Sequence, residues 1–355
     1  MSKSLSMILV TLLLVGLLAG CAAPAPTPAA PAVAPATAAA QVAAPATPPP
    51  AAKPFKVAII LPSAHNDLAF SQSMYDALTK VQKELGPDKF EFAYSENLYA
   101  VEDAASAMRD YASKGYDLVI AHSSLMGSVM PDIAKDFPKT SFAWGTDVDT
   151  FESQGIHNVF AYEARAEQGG YVNGVLAALL SKGKNIGVVG PLEAGDAKLY
   201  VDGFKSGVQA TDPKATLNVN WIGTFNDSAK ASAAAQTLVA AGADVLTGSS
   251  QAMAGTVSVA KEKGALYFGT QSDQASWGPS TVVASQVYDW SPFIKEMVSL
   301  IQGGTLGGKV FSATLENGGL VIAYSPDAKI PAEVKAVGDK TVKGIQDGTI
   351  AVKVQ

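Results

Sequence analysis

The sequence has few of the residues that build disulfides, metal sites and ionic surfaces. Its 355 residues include one cysteine and three histidines, and 16% of them are charged. A single cysteine excludes an internal disulfide, and three scattered histidines without clustered cysteine or glutamate do not make a zinc site. The formal net charge of −6 argues against nucleic acid as a partner. We therefore expect neither a metal nor a cofactor.

Motifs of several enzyme classes are also missing. The sequence contains no G-x-S-x-G elbow, no G-x-x-x-x-G-K-[ST] phosphate loop and no G-x-G-x-x-G after a predicted strand. Hydrolase, nucleotidase and dinucleotide-binding functions therefore lose their strongest sequence support. His65 near Asp67 and His122 beside Ser123 are interpreted as surface or cleft-rim histidines, not as bases or metal ligands. We expect no catalytic residues and no enzyme activity.

An apolar segment near the N-terminus has the features of an export signal. The run over residues 7–18 is shorter than the roughly 20 apolar residues that a membrane-spanning helix needs. The residues just before Cys21 resemble a bacterial lipoprotein signal, which implies that residues 1–20 are removed and that Cys21 is lipidated. Residues 21–53, rich in alanine and proline, offer little to bury and are interpreted as a tether. We expect a protein held on the extracytoplasmic face of the cell membrane.

From residue 54 onward, short apolar runs alternate with segments of helical periodicity. The first unit is a predicted strand over residues 57–61, a loop, and a helix that begins near Phe70. This alternation predicts parallel βαβ units. Because the pattern restarts at Asn185, we expect an α/β fold with two doubly wound, parallel-sheet lobes that face each other across a cleft. The expected lobes are residues 54–163 with a return segment near 286–308, and residues 164–285 with part of 309–355.

Polar and aromatic residues follow four of the predicted strands. Ligands of open parallel sheets bind beyond the carboxyl ends of the strands, so these loops indicate a site. A planar ring between two aromatic faces gains on the order of 1 kcal/mol per face, and carboxylates accept hydrogen bonds from hydroxyl groups, so nucleosides and sugars both suit such loops. The alternative is that the phenylalanines are core residues and the aspartates cap helices. The loops carry Asn66, Asp67 and Phe70; Trp144 and Asp147; Phe225, Asn226 and Asp227; and Ser272, Asp273 and Gln274.

Several segments resemble the basic membrane protein family, which consists of PnrA-like substrate-binding lipoproteins of ABC transporters and includes purine nucleoside receptors. The resemblance implies a type I periplasmic binding protein fold, with two α/β lobes joined by a three-crossing hinge. It also implies a receptor that closes around a purine nucleoside or nucleobase and delivers it to an ABC permease; we expect a monomer. The matching segments are residues 66–72 (NDLAFSQ), 167–174 (EQGGYVNG), 203–207 (GFKSG), 224–230 (TFNDSAK), 242–244 (GAD), 269–274 (GTQSDQ) and 345–352 (IQDGTIAV).

The resemblance also assigns residues to the ligand. It implies that Asp67 contacts the ligand, that Phe70 and Phe225 cover the two faces of a purine, and that Asp273 binds the ribose hydroxyls. Less directly, other residues are expected to line the pocket. These are Asn66, Ser123, Ser124, Trp144 and Glu193.

One departure from nucleoside receptors concerns charge. The lysine that they present within Ser-x-x-Lys is replaced by Tyr288, and Trp290 follows it. We therefore expect both aromatic residues to contribute to a more aromatic, less cationic pocket. Relatives with such a pocket are expected to bind a free base or a different ring compound. We therefore keep both beside a nucleoside as expected ligands.

Three other functions stay open at this point. A receptor for a sugar or another amphipathic ring compound would use the same lobes, with Trp144, Trp277 or Trp290 as a stacking platform. An exported nucleoside hydrolase would need a clustered carboxylate metal site, whereas the aspartates named above are spread over both lobes. A signalling or adhesive lipoprotein would bind no small molecule.

Overall fold

The computed structural model describes residues 53–354, which form twelve strands and nine α-helices. The strands are β1 Phe55–Ile60, β2 Phe90–Ser95, β3 Leu118–Ala121, β4 Ser141–Gly145, β5 Val159–Ala164, β6 Asn185–Gly190, β7 Thr216–Trp221, β8 Val245–Gly248, β9 Leu266–Gln271, β10 Val282–Tyr288, β11 Val310–Ala313 and β12 Leu320–Tyr324. The helices are α1 Phe70–Leu85, α2 Val101–Ser113, α3 Met130–Asp136, α4 Ala166–Leu180, α5 Gly195–Thr211, α6 Ser228–Ala240, α7 Met253–Lys263, α8 Ser291–Gln302 and α9 Ala332–Gln346.

Each lobe is built on one six-stranded sheet. The strand orders are β11-β5-β4-β3-β1-β2 in the first lobe and β12-β10-β9-β8-β6-β7 in the second. Between residues 53 and 354 the paired strands run parallel, except for β10 and β12, which are antiparallel. The apolar run of β1 is buried on both faces, as a strand covered by helices requires. The predicted α/β architecture is confirmed.

The chain crosses between the lobes three times. It passes from β5 to α4 at Arg165, from β10 to α8 between Tyr288 and Ser291, and from β11 to β12 between Ala313 and Leu320. Helix α8 packs on α1 of the first lobe, and α9 packs on α4 of the second. The carboxyl ends of both sheets therefore flank the same cleft.

The return segment, expected near residues 286–308, begins and ends a few residues later in the structure. Strand β10 stays in the second sheet as far as Tyr288, and β11 belongs to the first sheet, where it pairs with β5. The short β11 run has no local feature that identifies its sheet, because its partner lies far earlier in the chain. The first lobe therefore includes residues up to Ala313.

Four glycines allow α4 and α5 to pack at unusually close range. Gly170 and Gly174 of α4 and Gly203 and Gly207 of α5 lie against the main chain of the opposite helix, so a Cβ at any of them would overlap a backbone carbonyl. These glycines belong to two of the segments that carry the family resemblance, 167–174 and 203–207. The two segments thus form a helix contact.

We predict that Gly174→Ala lowers the free energy of unfolding by about 1 to 3 kcal/mol, the usual cost of overpacking. The added methyl group would meet the carbonyl oxygen of Phe204, and a backbone atom cannot rotate away. Urea unfolding of the full chain measures the change. Gly344→Ala in α9 is the matched control, because its Cβ would meet side-chain atoms of Ile350 and Thr349 and no backbone atom of another helix. A Gly174→Ala chain as stable as the control would contradict the close contact.

Candidate ligand-binding site

A cleft between the lobes is partly open to solvent. Its lining comes from the segments that follow the strands of both sheets, as the topology of open α/β sheets leads one to expect. The first lobe contributes Pro62, Phe70, Tyr99, Ser123, Ser124, Leu125 and Thr146, and the second lobe contributes Asp196, Phe225, Gln251 and Gln271.

The Phe70 ring forms one wall of this cleft and is supported on its other face by the ring of His122. Phe70 begins α1, and its ring stacks on His122 with 3.7 Å between ring centroids and 11° between planes. Its exposed fraction is 7%. Because His122 covers one face, a ligand can stack on the opposite face only. On the other lobe, Phe225 is half-buried in the loop after β7.

His122 was expected at the surface or the cleft rim, but the structure buries it completely. Its Nε2 lies 2.8 Å from the carbonyl oxygen of Phe70, and its Nδ1 lies 2.8 Å from the hydroxyl of Tyr162. A carbonyl only accepts, so Nε2 carries the proton and Nδ1 accepts a hydrogen bond from Tyr162. Burial lowers the pKa of His122 to about 3, although the bond to Phe70 opposes the shift. The ring is therefore a neutral support for Phe70.

Asp196 is the carboxylate of the cleft. It lies in the first turn of α5, where its Oδ1 accepts a hydrogen bond from Thr146 Oγ1 at 3.1 Å and its Oδ2 accepts one from Tyr288 at 2.9 Å. Burial raises the pKa of Asp196, while the hydrogen bonds from Tyr288, Thr146 and Gln271 lower it in part. Thr146 belongs to the first lobe, so this carboxylate also joins the lobes.

The side chains of Gln251 and Gln271 also border this cleft. The Oε1 atoms of Gln251 and Gln271 are buried and have no hydrogen-bond partner among the residues that the structure describes. Gln271 ends β9 with φ at +72°, a left-handed backbone conformation that is uncommon for residues other than glycine. Such conformations concentrate at functional sites, where surrounding structure holds them in place.

Aromatic contacts run behind the cleft from Phe70 to Asp196. His122, stacked on Phe70, meets Trp290 edge to face at 6.1 Å between centroids, and Trp290 meets Tyr288 in the same way at 5.3 Å. The Tyr288 hydroxyl then bonds Asp196. Tyr288 and Trp290 are 2% and 1% exposed. The structure places both behind the residues that line the cleft.

The chain matches a known family over almost all of its described part. The family model described as ABC transporter substrate-binding protein PnrA-like matches residues 55–353. The chain belongs to this family. The resemblance to basic membrane proteins is thereby confirmed, and the protein is a substrate-binding component of an ABC transporter, with a small-molecule ligand and a permease as partner.

Several relatives and solved structures are similar to this chain, and the solved structures share its fold. A purine-binding protein from Brucella abortus is 26% identical over 300 residues, which cover 84% of this chain and 83% of that protein. A solute-binding protein from Conexibacter woesei has a TM-score of 0.70 at 22% identity, covering 84% of this chain and 99% of that one. A solute-binding protein from Actinobacillus succinogenes, with bound D-allose, has a TM-score of 0.61 at 13% identity, covering 78% and 99%. The fold is the type I periplasmic binding protein fold.

Four of the expected PnrA-like site residues line the cleft together: Phe70, Ser123, Ser124 and Phe225. Asp67 is near them but bonds the backbone instead. Its carboxylate accepts hydrogen bonds from the N–H groups of residues 69, 71 and 72 and holds the loop before α1. Asp67 therefore acts at the start of a helix, as the capping alternative supposed.

The structure does not bring the other expected residues to the lining. Trp144 is buried in the first lobe, stacked on Phe151, with its Nε1 donating to the carbonyl of residue 149. Asn66 and Glu193 are exposed. Asp273 is also exposed, accepts a hydrogen bond from the N–H of residue 275, and borders a different surface hollow.

Sequence reasoning missed Asp196, Gln251 and Gln271. From the segment after β6 the sequence predicts Glu193, which lies three residues before Asp196, the carboxylate that lines the cleft. An aspartate in the first turn of a helix that follows a buried strand was the available signal. No sequence feature marks Gln251 and Gln271 as lining residues. Their place in the cleft depends on which side-chain atoms are left without hydrogen-bond partners once the chain has folded.

Two further observations concern residues 53–354. Within them, no group of three or more His, Cys, Asp and Glu side chains is arranged to hold a metal ion. None of the helices in this part of the chain has both the length and the apolar character needed to cross a membrane. The export signal and Cys21 lie outside the described residues, and so does the tether except for its last residue, Lys53.

We predict that His122→Gln makes folding less sensitive to acid. On unfolding, His122 regains a pKa near 6.5, so the unfolded chain binds a proton that the folded chain does not, and stability falls as the pH decreases below that value. Between pH 7.5 and 5.0 this costs about 2 kcal/mol, given the normal histidine pKa. Urea unfolding at both pH values measures it. His157→Gln, at an exposed position, serves as control, and equal pH dependence in both variants would contradict the assignment.

Proposed function

We propose that this substrate-binding protein captures a purine base or nucleoside in the cleft between its lobes and delivers it to the ABC permease. The observation that carries the proposal is the combination in one cleft of two phenylalanines, one from each lobe, with acceptor side chains from the second lobe. Aromatic faces bind a planar ring, and acceptors bind its N–H groups. The purine-binding relative supports the same class.

Closure of the lobes would follow from contacts that the ligand makes with both of them. A ligand shifts a conformational equilibrium only by its differential affinity for the two states. Besides the Thr146–Asp196 bond, Ser272 Oγ donates to the carbonyl of Ala69 at 2.7 Å, and Gln274 Nε2 donates to that of residue 68 at 2.9 Å. These hydrogen bonds already join the lobes beside the cleft. A ring that contacts both lobes would add further interlobe contacts and so favour the closed state.

A sugar is the second candidate. The acceptors of the cleft suit hydroxyl donors as well as N–H donors, and the structurally similar protein from Actinobacillus succinogenes holds D-allose. A sugar would stack on the free face of Phe70 or on Phe225. The two candidates can be distinguished because a purine receptor is stabilised by bases or nucleosides and a sugar receptor by hexoses.

An enzyme function has less support. Among the residues that line the cleft, Asp196 is the one carboxylate that the described part of the chain provides. A nucleoside hydrolase would need several carboxylates around a metal. Release of free base from inosine by the purified chain would contradict the receptor proposal.

We predict that purines raise the melting temperature of the purified full chain in a thermal-shift panel of bases, nucleosides and hexoses. A ligand at about 100 times its Kd adds roughly 2.7 kcal/mol of stability. Phe225→Ala should reduce this shift because it removes one stacking face, and the ligand-free melting temperature should change little, since the ring is half-buried. Phe92→Ala, half-buried in β2 away from the cleft, should keep the shift. A shift from hexoses alone would favour the sugar.

We also propose that Cys21 is the lipidated N-terminal residue of the exported protein, and that residues 21–53 link it to the lobes as a tether. The residues before Cys21 support this assignment. Mass spectrometry of the N-terminal peptide from membranes should find an acylated Cys21, and Cys21→Ser should release the protein from the membrane fraction. A membrane-bound Cys21→Ser protein would contradict the anchor.

A further inference from the structure

Two of the segments that carry the family resemblance meet across the boundary between the lobes. Residues 66–72 lead into α1 of the first lobe, and residues 269–274 span the end of β9 in the second. Where they meet, Ser272 Oγ donates to the carbonyl of Ala69 at 2.7 Å, and Gln274 Nε2 donates to that of Leu68 at 2.9 Å. We call these two hydrogen bonds the interlobe latch.

The acceptors of the interlobe latch are held in place by the first lobe alone. The carboxylate of Asp67 accepts hydrogen bonds from three N–H groups around the start of α1, and the N–H of Leu68 donates to Gln72 Oε1 at 3.0 Å. Leu68 has φ at +50°, a left-handed conformation that is uncommon for leucine and needs such support. The direction of the carbonyl groups is therefore set before the lobes come together.

The second lobe orients Gln274 in the same way. Its Nε2 also donates to the carbonyl of Thr270 at 3.0 Å, and its N–H donates to Ser285 Oγ at 3.2 Å. Gly269 leaves the space that the side chain needs, because a Cβ there would lie 2.6 Å from Gln274 Oε1. Groups that are already oriented lose little conformational freedom when they bind each other, so closure of the lobes gains most of the hydrogen-bond energy.

The interlobe latch lies beside the ligand cleft and outside its lining. Ser272 and Gln274 are 4% and 0% exposed, and neither of them lines the cleft. Their neighbours in the chain do line it, since Phe70 follows Ala69 and Gln271 precedes Ser272. The two hydrogen bonds therefore hold opposite walls of the cleft together without taking up space that a ligand needs.

We infer that Ser272 and Gln274 are positioning residues that hold the closed state through the interlobe latch and thereby set how long a ligand stays bound. The inference rests on the proposed receptor, which closes around its ligand. A ligand held between the lobes leaves when they separate, and separation breaks both hydrogen bonds. Loss of either bond therefore speeds the release of every ligand by the same factor.

The distance between the lobes without ligand tests the interlobe latch directly. Spin labels on Lys139→Cys and Lys214→Cys, at exposed positions of the first and second lobes, report this distance by double electron–electron resonance in the full chain with Cys21→Ser. Ser272→Ala should lower the ratio of closed to open molecules by about 3- to 10-fold, the net effect of one hydrogen bond.

Ser325→Ala is the matched control for the distance measurement. Ser325 is also buried, and its Oγ donates to the carbonyl of Pro279 at 2.7 Å, but both residues belong to the second lobe. This variant should keep the distances of the unaltered chain. A Ser272→Ala chain with the same distances as the control would overturn the interlobe latch, whichever compound the cleft binds.

Release kinetics give a second test, with inosine and hypoxanthine as probes. In stopped-flow displacement from the full chain, Ser272→Ala and Gln274→Met should each raise koff by about 3- to 10-fold, equally for both compounds, and kon should not fall. Unequal factors for the two compounds would indicate a lost ligand contact and overturn the positioning role. If neither compound binds, the purine proposal fails, while the ligand-free distances still decide whether the interlobe latch exists.

Discussion

The close contact between α4 and α5 is the constraint on which the geometry of the cleft depends. Helix α4 begins directly after the first crossing at Arg165, and α5 begins with the turn that carries Asp196. Gly170 and Gly174 let the helices approach until backbone meets backbone, where no side chain can act as a flexible spacer. The distance from hinge to cleft carboxylate is thereby set by main-chain atoms.

The aromatic contacts behind the cleft form a second connection between the hinge and Asp196. Phe70 belongs to the first lobe, Trp290 lies within the second crossing, and Tyr288 ends the strand that precedes this crossing. The Nε1 of Trp290 donates to Ser73 of α1 at 2.9 Å, which fastens the crossing to the first lobe. The supports of Phe70 and of Asp196 are therefore packed against each other through Trp290 and Tyr288 at this crossing.

Much of the architecture could be predicted from the sequence, because strands buried in parallel sheets and helices that cover them have distinct apolar periods. The restart of the pattern at Asn185 coincides with β6, the first strand of the second sheet in chain order. Strands β11 and β12 and helix α9 were not predicted, and the sheet to which β11 belongs is decided by pairing with the distant β5. Short strands near a hinge carry too little local pattern to show which lobe they join.

The sequence by itself determined the α/β class, the family and the loops in which a site must lie, because these follow from local periodicity and from motifs of neighbouring residues. Only the tertiary structure decided which side chain of each loop enters the cleft. Phe70 lines it because buried His122 supports its ring, Asp67 turns to backbone N–H groups, and Asp196 is oriented by Thr146 and Tyr288. Such choices depend on hydrogen bonds between residues far apart in the chain, and no local pattern encodes them.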